Sequence, residues 1–350
     1  MSSGYASTVS LVMAFRNSRE FLRALPRKIN VMSGNIAELI LVDDNSTDLA
    51  AGELSEIIGQ VAPRVRLINM EGIGAGVAAA RNAGVSAASA EYIWFADIDD
   101  EWDPGIVDVM HSEAVESNAD VVLCNARRVD VDGKWIGTIA DADHHSGSTG
   151  QDLLRAILDG RVQGHLWNKL FRRDLLGAEP FPGTRAHSDL GGILAIAARA
   201  ERVVCVTGVL YSYVMRSGSI LHSKDYRWTD LAFCASAARR VTAGEGAIGH
   251  DTIDGFVLRF CTIPLLNEWS RRAGHFGRPS SAELRQMLYE MGGVRGKRLR
   301  SQFARQPKRA LRALLGVMSP ETYRLIYLTA ARFRRESVSI APARRAESGT

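Results

Sequence analysis

The stretch Glu91-Tyr92-Ile93-Trp94-Phe95-Ala96-Asp97-Ile98-Asp99-Asp100 decides the fold. Tyr92 to Ala96 is a short continuous apolar run, the length of a buried strand rather than of a helix. Three carboxylates then crowd its end. A second stretch has the same form, with Leu39-Ile40-Leu41-Val42 running straight into Asp43-Asp44. Residues 9–15, 65–68 and 121–124 repeat the strand pattern. Between the strands lie longer amphipathic or Ala-rich segments, one from a Ser18 cap to about Ile29 and one within Gly74 to Ser89. Strands alternating with helices give an α/β fold, a mostly parallel central sheet flanked by helices. Ligands of such sheets sit beyond the carboxyl ends of the strands, where both acidic clusters fall.

Unpaired carboxylates this close repel one another and need a counter-charge. A hard divalent cation, Mn2+ or Mg2+, suits oxygen ligands and bridges carboxylates to substrate phosphates. The alternative is an acidic turn capping a helix entered through Pro104. At the other strand end, Asp43 or Asp44 can accept hydrogen bonds from a base or from ribose hydroxyls, or Asp44 and Asn45 can cap the next helix. Gly74-Ala75-Gly76 precedes Ala80-Arg81-Asn82-Ala83-Gly84, but Ala79 stands three residues after Gly76. That spacing excludes a dinucleotide-binding fingerprint. Arg81 faces a phosphate or pairs with a surface carboxylate.

The chain has 350 residues, enough for about two domains. With 46% hydrophobic and 23% charged residues it is not a disordered chain. No apolar run is long enough for a transmembrane helix, and the N-terminus lacks the pattern of a secretory signal. Cys124, Cys205, Cys234 and Cys261 are widely spaced, which fits a reducing cytoplasm and not a zinc site or disulfide scaffold. The net charge of +4 hides a division. Residues 271–350 hold 18 Lys+Arg against 5 Asp+Glu, whereas residues 1–270 hold 25 against 34. The acidic body suits a cation, and the basic end suits an anionic partner or is simply a solvated helical face. Between Asp130 and Gly150 a polar segment reads as a hairpin or mobile loop, with Asp141, Asp143, His144 and His145 solvated rather than gathered on a metal. Residues 203–206 and 209–214 read as two short strands. From Tyr226 the pattern is helical. Leu311, Leu314, Leu315 and Met318 follow the spacing of one helix face, and Pro320 starts a further helix.

Several segments together resemble the family 2 glycosyltransferases, the inverting enzymes of the GT-A nucleotide-sugar fold, in their bacterial polysaccharide branch. The resemblance covers about residues 8–225. It rests on an opening strand followed by Arg16-Asn17-Ser18-Arg19-Glu20-Phe21-Leu22, on Val42 to Asp48, on Ala80 to Gly84 and on Glu91 to Asp100 followed by Pro104. Further matches are His165-Leu166-Trp167-Asn168-Lys169-Leu170-Phe171, His187-Ser188-Asp189 and Tyr211-Ser212-Tyr213-Val214-Met215-Arg216-Ser217-Gly218-Ser219-Ile220.

This resemblance implies a GT-A catalytic domain over 1–225, and the residue pattern beyond it gives a helical basic region over 226–335 and a disordered end over 336–350. It implies transfer of a sugar from a UDP-sugar, or another nucleotide-sugar donor, to a glycan or lipid-linked acceptor. Asp43, Asp44, Arg81, Asp97, Lys169 and Arg216 are the expected donor contacts. Asp97 and Asp99 form the Asp-x-Asp pair, with Asp99 the direct ligand of Mn2+ or Mg2+ and His222 a further metal contact. Asp189 is the expected base. Trp167 stacks on the acceptor or is core, and Ser188 stands where the family usually has Glu. The basic helices suit a peripheral contact at the inner face of the membrane, a helical appendage packed on the catalytic domain or a dimer contact, with no nucleic-acid partner. The alternatives are a non-catalytic nucleotide-sugar-binding or scaffold relative, and a nucleotidyltransferase.

Overall fold

In the computed structural model the described residues are 8–32, 35–49, 51–61, 64–71, 75–143, 148–184, 186–216, 228–242, 248–272, 279–292, 294 and 296–339. The chain divides into two compact units, Met1–Ile248 and Gly249–Thr350.

The first unit is built on one sheet. Its strands are β1 (Val9–Phe15), β2 (Ile36–Asp43), β3 (Arg64–Asn69), β4 (Tyr92–Phe95), β5 (Glu101–Trp102), β6 (Val121–Val129), β7 (Trp135–Ile139), β8 (Lys169–Arg172) and β9 (Val203–Val214). Their order is β3-β2-β1-β4-β8-β6-β9-β5, with β7 paired to β6. Strands β3, β2, β1 and β4 are parallel, and Phe15 lies opposite Asp43 while Val12 lies opposite Phe95. This register brings the carboxyl ends of β1, β2 and β4 to one edge. The sheet is mixed further on, because β8 runs antiparallel to both β4 and β6. The central strands β1, β4 and β8 are apolar and buried along most of their length, whereas β3 and β7 at the margins are partly exposed. Leu11, Leu39, Leu41, Trp94 and Val122 are completely buried.

Helices α1 (Arg19–Ile29), α2 (Ala51–Ile58), α3 (Val77–Ala87), α4 (Ile106–Glu116), α5 (Gly150–Asp159), α6 (Arg173–Leu176), α7 (Ser188–Arg199) and α8 (Trp228–Val241) complete this unit. α8 packs on α7. Ser18 precedes α1 as expected, but its hydroxyl donates to the Arg16 carbonyl at 3.1 Å instead of capping. The two strands expected at 203–214 are one, β9, whose register slips against β6 around Asn125. A slip lets the strand accommodate Thr207-Gly208 without ending. Asp130 turns the expected hairpin between β6 and β7, its Oδ1 accepting from the Asp132 and Lys134 amides.

The second unit is helical: α9 (His250–Phe256), a π-helical stretch over Val257–Thr262, α10 (Ile263–Arg271), α11 (Ser281–Met291), α12 (Gly296–Arg305), α13 (Pro307–Met318) and α14 (Pro320–Ser339). Three of these are tied together by polar contacts. Arg312 of α13 donates to Asn267 of α10 and to the Tyr323 hydroxyl of α14, both at 2.9 Å, and Tyr323 donates to Asn267 at 2.8 Å. α14 extends to Ser339, past the start of the expected disordered end, and residues 340–350 lie outside the described residues.

Helix α3 approaches β1 unusually closely. A Cβ added at Gly84 would lie 2.4 Å from Val12 Cγ1, so only glycine fits there. Gly84→Ala is expected to overpack this contact and lower stability by about 1–3 kcal/mol, read as a fall in the urea midpoint at unchanged slope.

Candidate active site

The carboxyl edge of β1, β2 and β4 gathers most of the expected donor residues. Asp43 ends β2, and its Oδ1 accepts the Ser46 amide at 2.8 Å. This Asx turn bends the chain away from the sheet. Asn17, at the end of β1 with φ of 50°, accepts the Thr47 amide at 2.8 Å, while its own amide donates to Ser46 Oγ at 2.9 Å. The two loops are thereby laced together. Asp44 is buried, and both its oxygens accept the Gly76 amide at 3.1–3.2 Å. It therefore pins the loop that enters α3.

The segment Arg81-Asn82-Ala83-Gly84 has a part for each polar or small residue. Arg81 Nη2 lies 3.2 Å from Asp97 Oδ1. Asn82 exchanges two hydrogen bonds with the Phe181 backbone, at 2.8 and 3.0 Å. Phe181 and Pro182 in turn press on Gly192 and Gly191 at the start of α7, where added Cβ atoms would come within 2.6 and 2.8 Å. This chain of contacts holds the first turn of α7, and with it Asp189, in a fixed relation to α3 and Arg81. Asp189 is partly exposed in that turn, with its charge at a helix N-terminus.

The three carboxylates after β4 are not alike. Asp97 and Asp99 keep 37% and 43% of their side-chain surface exposed. Asp99 Oδ2 meets Arg216 Nη1 at 3.2 Å, and that guanidinium also lies 4.7 Å over the Phe21 ring. Asp100 turns inward instead: it accepts the Tyr211 hydroxyl at 2.9 Å and the Val214 amide at 2.8 Å. Tyr211 OH accepts the Asp97 amide at 3.2 Å, so one buried tyrosine ties the acidic turn to β9. Burial first, and the charge of Asp97 second, raise the pKa of Asp99 and push that of Asp100 up to about 8. Burial and mutual repulsion thus both disfavour the charged carboxylates of this turn, and Arg216 offsets part of that at Asp99. Asp97 and Asp99 are hard oxygen donors open to solvent, which suits Mn2+ or Mg2+. Among the described residues no three His, Cys, Asp or Glu side chains stand close enough to hold a metal by themselves. His222 and Ser217 to Ile220 lie outside the described residues.

Four expectations change here. Lys169 is completely buried rather than facing a donor. Its Nζ meets Asp141 Oδ2 at 3.3 Å, the Gln163 and His165 carbonyls at 3.1 and 2.8 Å, and Asn168 Oδ1 at 2.9 Å. An ammonium has three protons, so these four acceptors leave none for a phosphate. Burial pushes its pKa down while the charge of Asp141 pulls it back up. Asp141 is itself buried, not solvated, and also accepts from the Gln163 amide and from Asn168 Nδ2, each at 2.9 Å. Trp167 is only 4% exposed, stacked 4.5 Å from Tyr211 and 4.7 Å from His165. Its ring belongs to the core and not to an acceptor platform. Ser188 is 2% exposed, so it does not present its hydroxyl to an acceptor. Asp100 and Asp141 were missed as organising residues because an acidic residue in a turn or polar loop looks solvated until its partners are known.

The sheet order, with its helices and its carboxylate-rich edge, is that of the GT-A fold class. Residues 10–177 match the sequence model of Glycosyl transferase family 2, and this part of the chain is a glycosyltransferase domain of that family. It is 28% identical over 271 residues to EpsH of Bacillus subtilis (strain 168), covering 75% of this chain and 77% of that protein. It is 26% identical over 302 residues to glycosyltransferase GlyG of Streptococcus pneumoniae serotype 4, covering 81% and 94%. Among solved structures it is similar to S. aureus TarS 1-349 in complex with UDP-GlcNAc, with a TM-score of 0.67 and 16% identity, covering 93% of this chain and 92% of that one. The family match sets aside the nucleotidyltransferase alternative.

The Lys169–Asp141 pair gives a direct test of its structural part. Lys169→Met leaves Asp141 charged and unpaired in the interior, so it is expected to cost about 3–5 kcal/mol in urea unfolding. Adding Asp141→Asn to that variant is expected to recover part of the loss, because the stranded charge is then gone.

Proposed function

We propose that this chain transfers a sugar from a UDP-sugar, or a related nucleotide-sugar, to a hydroxyl of a glycan or lipid-linked acceptor, with inversion at the anomeric carbon. The observation that carries the reading is the alignment of the β2 and β4 ends, which puts Asp43 and the Asp97–Asp99 pair on one edge of the sheet. The UDP-GlcNAc complex of the similar TarS fold supports a uridine donor.

In this reading Asp43 and Asp44 shape the pocket for the base and ribose. Asp43 contacts the nucleoside, while Asp44 holds the loop around Gly76. Asp97 and Asp99 would hold Mn2+ or Mg2+, which when bound supplies Lewis-acid neutralisation of the diphosphate leaving group. Arg81 and Arg216 now pair with those same carboxylates. With a donor present they are placed to turn toward phosphate oxygens, Arg216 from the end of β9. Asp189 takes the proton of the acceptor hydroxyl. The freed oxygen electron pair forms the new bond to the anomeric carbon from the face opposite the diphosphate. The bond between that carbon and the diphosphate oxygen breaks, and UDP leaves with the electron pair. The position of Asp189 at the start of α7, indexed through Phe181 to Arg81, supports this role. The branch the sequence resembles supports polysaccharide assembly, and the basic second unit supports contact with a membrane surface. No helix among the described residues is long and apolar enough to cross a membrane.

The test is UDP release from a panel of UDP-sugars with Mn2+, water serving as the default acceptor. Asp189→Asn is expected to lower release by about 100- to 10,000-fold, the usual span for one general base, while UDP still binds in calorimetry. Asp97→Asn and Asp99→Asn are expected to remove the metal-dependent part of UDP binding. Normal turnover by Asp189→Asn would overturn the base assignment. UDP binding that ignores Mn2+ in the wild type would overturn the metal role.

A further inference from the structure

Helix α13 is oriented against the usual rule for an amphipathic helix. Its buried residues are small: Ala310, Ala313 and Gly316. Its large apolar residues lie on the opposite side. Leu311 and Met318 are 60% and 70% exposed, and Leu314 and Leu315 between them are partly exposed. At 100° per residue these four side chains form one continuous stripe, centred away from the Ala310–Ala313–Gly316 face. The helix cannot simply rotate to bury the stripe. A Cβ at Gly316 would already lie 2.6 Å from Leu266 of α10, so that contact accepts glycine and nothing larger. Arg312 is also committed, to Asn267 and Tyr323. The leucine stripe therefore faces solvent because the inward face is shaped for close helix contact.

The charge around the stripe says what covers it. Between Gly296 and Met318 there are seven Lys or Arg and no Asp or Glu. Lys308 and Arg309, one turn before the stripe, are exposed, as are Lys297, Arg300 and Arg305. A second copy of this face would set one wholly basic surface against another, and like charges repel. A nucleic acid would satisfy the charges but offers nothing to four contiguous aliphatic side chains. An anionic bilayer meets both demands, taking lysines and arginines at its headgroups and the aliphatic stripe at the acyl boundary. α14 adds two exposed apolar residues, Leu325 and Ile326, at 66% and 56%.

We infer that the solvent face of α13, with Leu311, Leu314, Leu315 and Met318 flanked by Lys308 and Arg309, is a docking surface for an anionic phospholipid bilayer. This deepens the membrane part of the reading above and does not depend on the chemistry assigned to the carboxylate site.

The full chain is floated on vesicles of phosphatidylcholine alone and of phosphatidylcholine with phosphatidylglycerol at 3:1. Wild type is expected to float with the anionic vesicles, at least tenfold more than with neutral ones, and to be released by 0.5 M NaCl. Leu311→Glu with Met318→Glu is expected to lower flotation at least tenfold. Both positions are exposed, and an unchanged thermal midpoint checks that the variant is folded. Lys308→Glu with Arg309→Glu is expected to weaken binding as well. The inference fails if wild type ignores anionic vesicles. It fails equally if the Leu311/Met318 variant floats as well as wild type, because charge alone would then explain binding. It also fails if wild type is a dimer in sedimentation that the same variant makes monomeric without any vesicle binding. None of these failures would alter UDP release, so they are separable from failure of the enzymatic reading.

Discussion

Five carboxylates stand at the carboxyl ends of β2 and β4, the two parallel strands that flank β1, and like charges clustered at each strand end cannot all remain uncompensated. Much of the first unit is organised by how that repulsion is met. Asp43 and Asp44 are compensated by backbone amides, which also shape the loops after β2 and before α3. Asp100 is taken inward by Tyr211 and Val214, which joins the acidic turn to β9. Asp97 and Asp99 keep their oxygens near solvent, each facing one arginine, and Asp43 is partly exposed as well. The division leaves Asp43, Asp97 and Asp99 open to a ligand and Asp44 and Asp100 as structure.

A second constraint lies beneath the site. The buried pair Lys169–Asp141 is surrounded by acceptors and donors that leave few loose ends. Its Nζ binds the carbonyls of Gln163 and His165, so it holds the loop that presents Trp167 to Tyr211. Trp94 closes the same loop from below, donating its indole N–H to the Trp167 carbonyl at 2.8 Å. Tyr211 thus takes part in both systems: its ring stacks on Trp167 while its hydroxyl supports the acidic turn. A change in the 163–169 loop would be felt at the carboxylates through that one side chain.

The helical unit shows the same economy of contact in a different form. Small residues face inward on α13 because α10 lies too close for larger ones, and the leucines are left outside. Its helix spacing is plain in the amino-acid order, yet the usual deduction that the apolar stripe faces the core is reversed by packing. Periodicity shows that residues share a face, not which neighbour that face meets.

The α/β order, the strands at 9–15, 39–42, 65–68, 92–96 and 121–124, and the acidic strand ends could all be read from one chain. Local physics governs them: apolar runs of strand length bounded by turn residues, and carboxylates placed where strands stop. The inward turn of Asp100, the burial of Lys169 and Asp141, the core place of Trp167 and the pairing of β8 between β4 and β6 could not. Each depends on a partner far away in sequence, 111 residues from Tyr211 to Asp100 and 28 from Lys169 to Asp141. A charged side chain looks the same in a list of residues whether its partner is water or another buried charge, and only the folded chain brings that partner within hydrogen-bond distance.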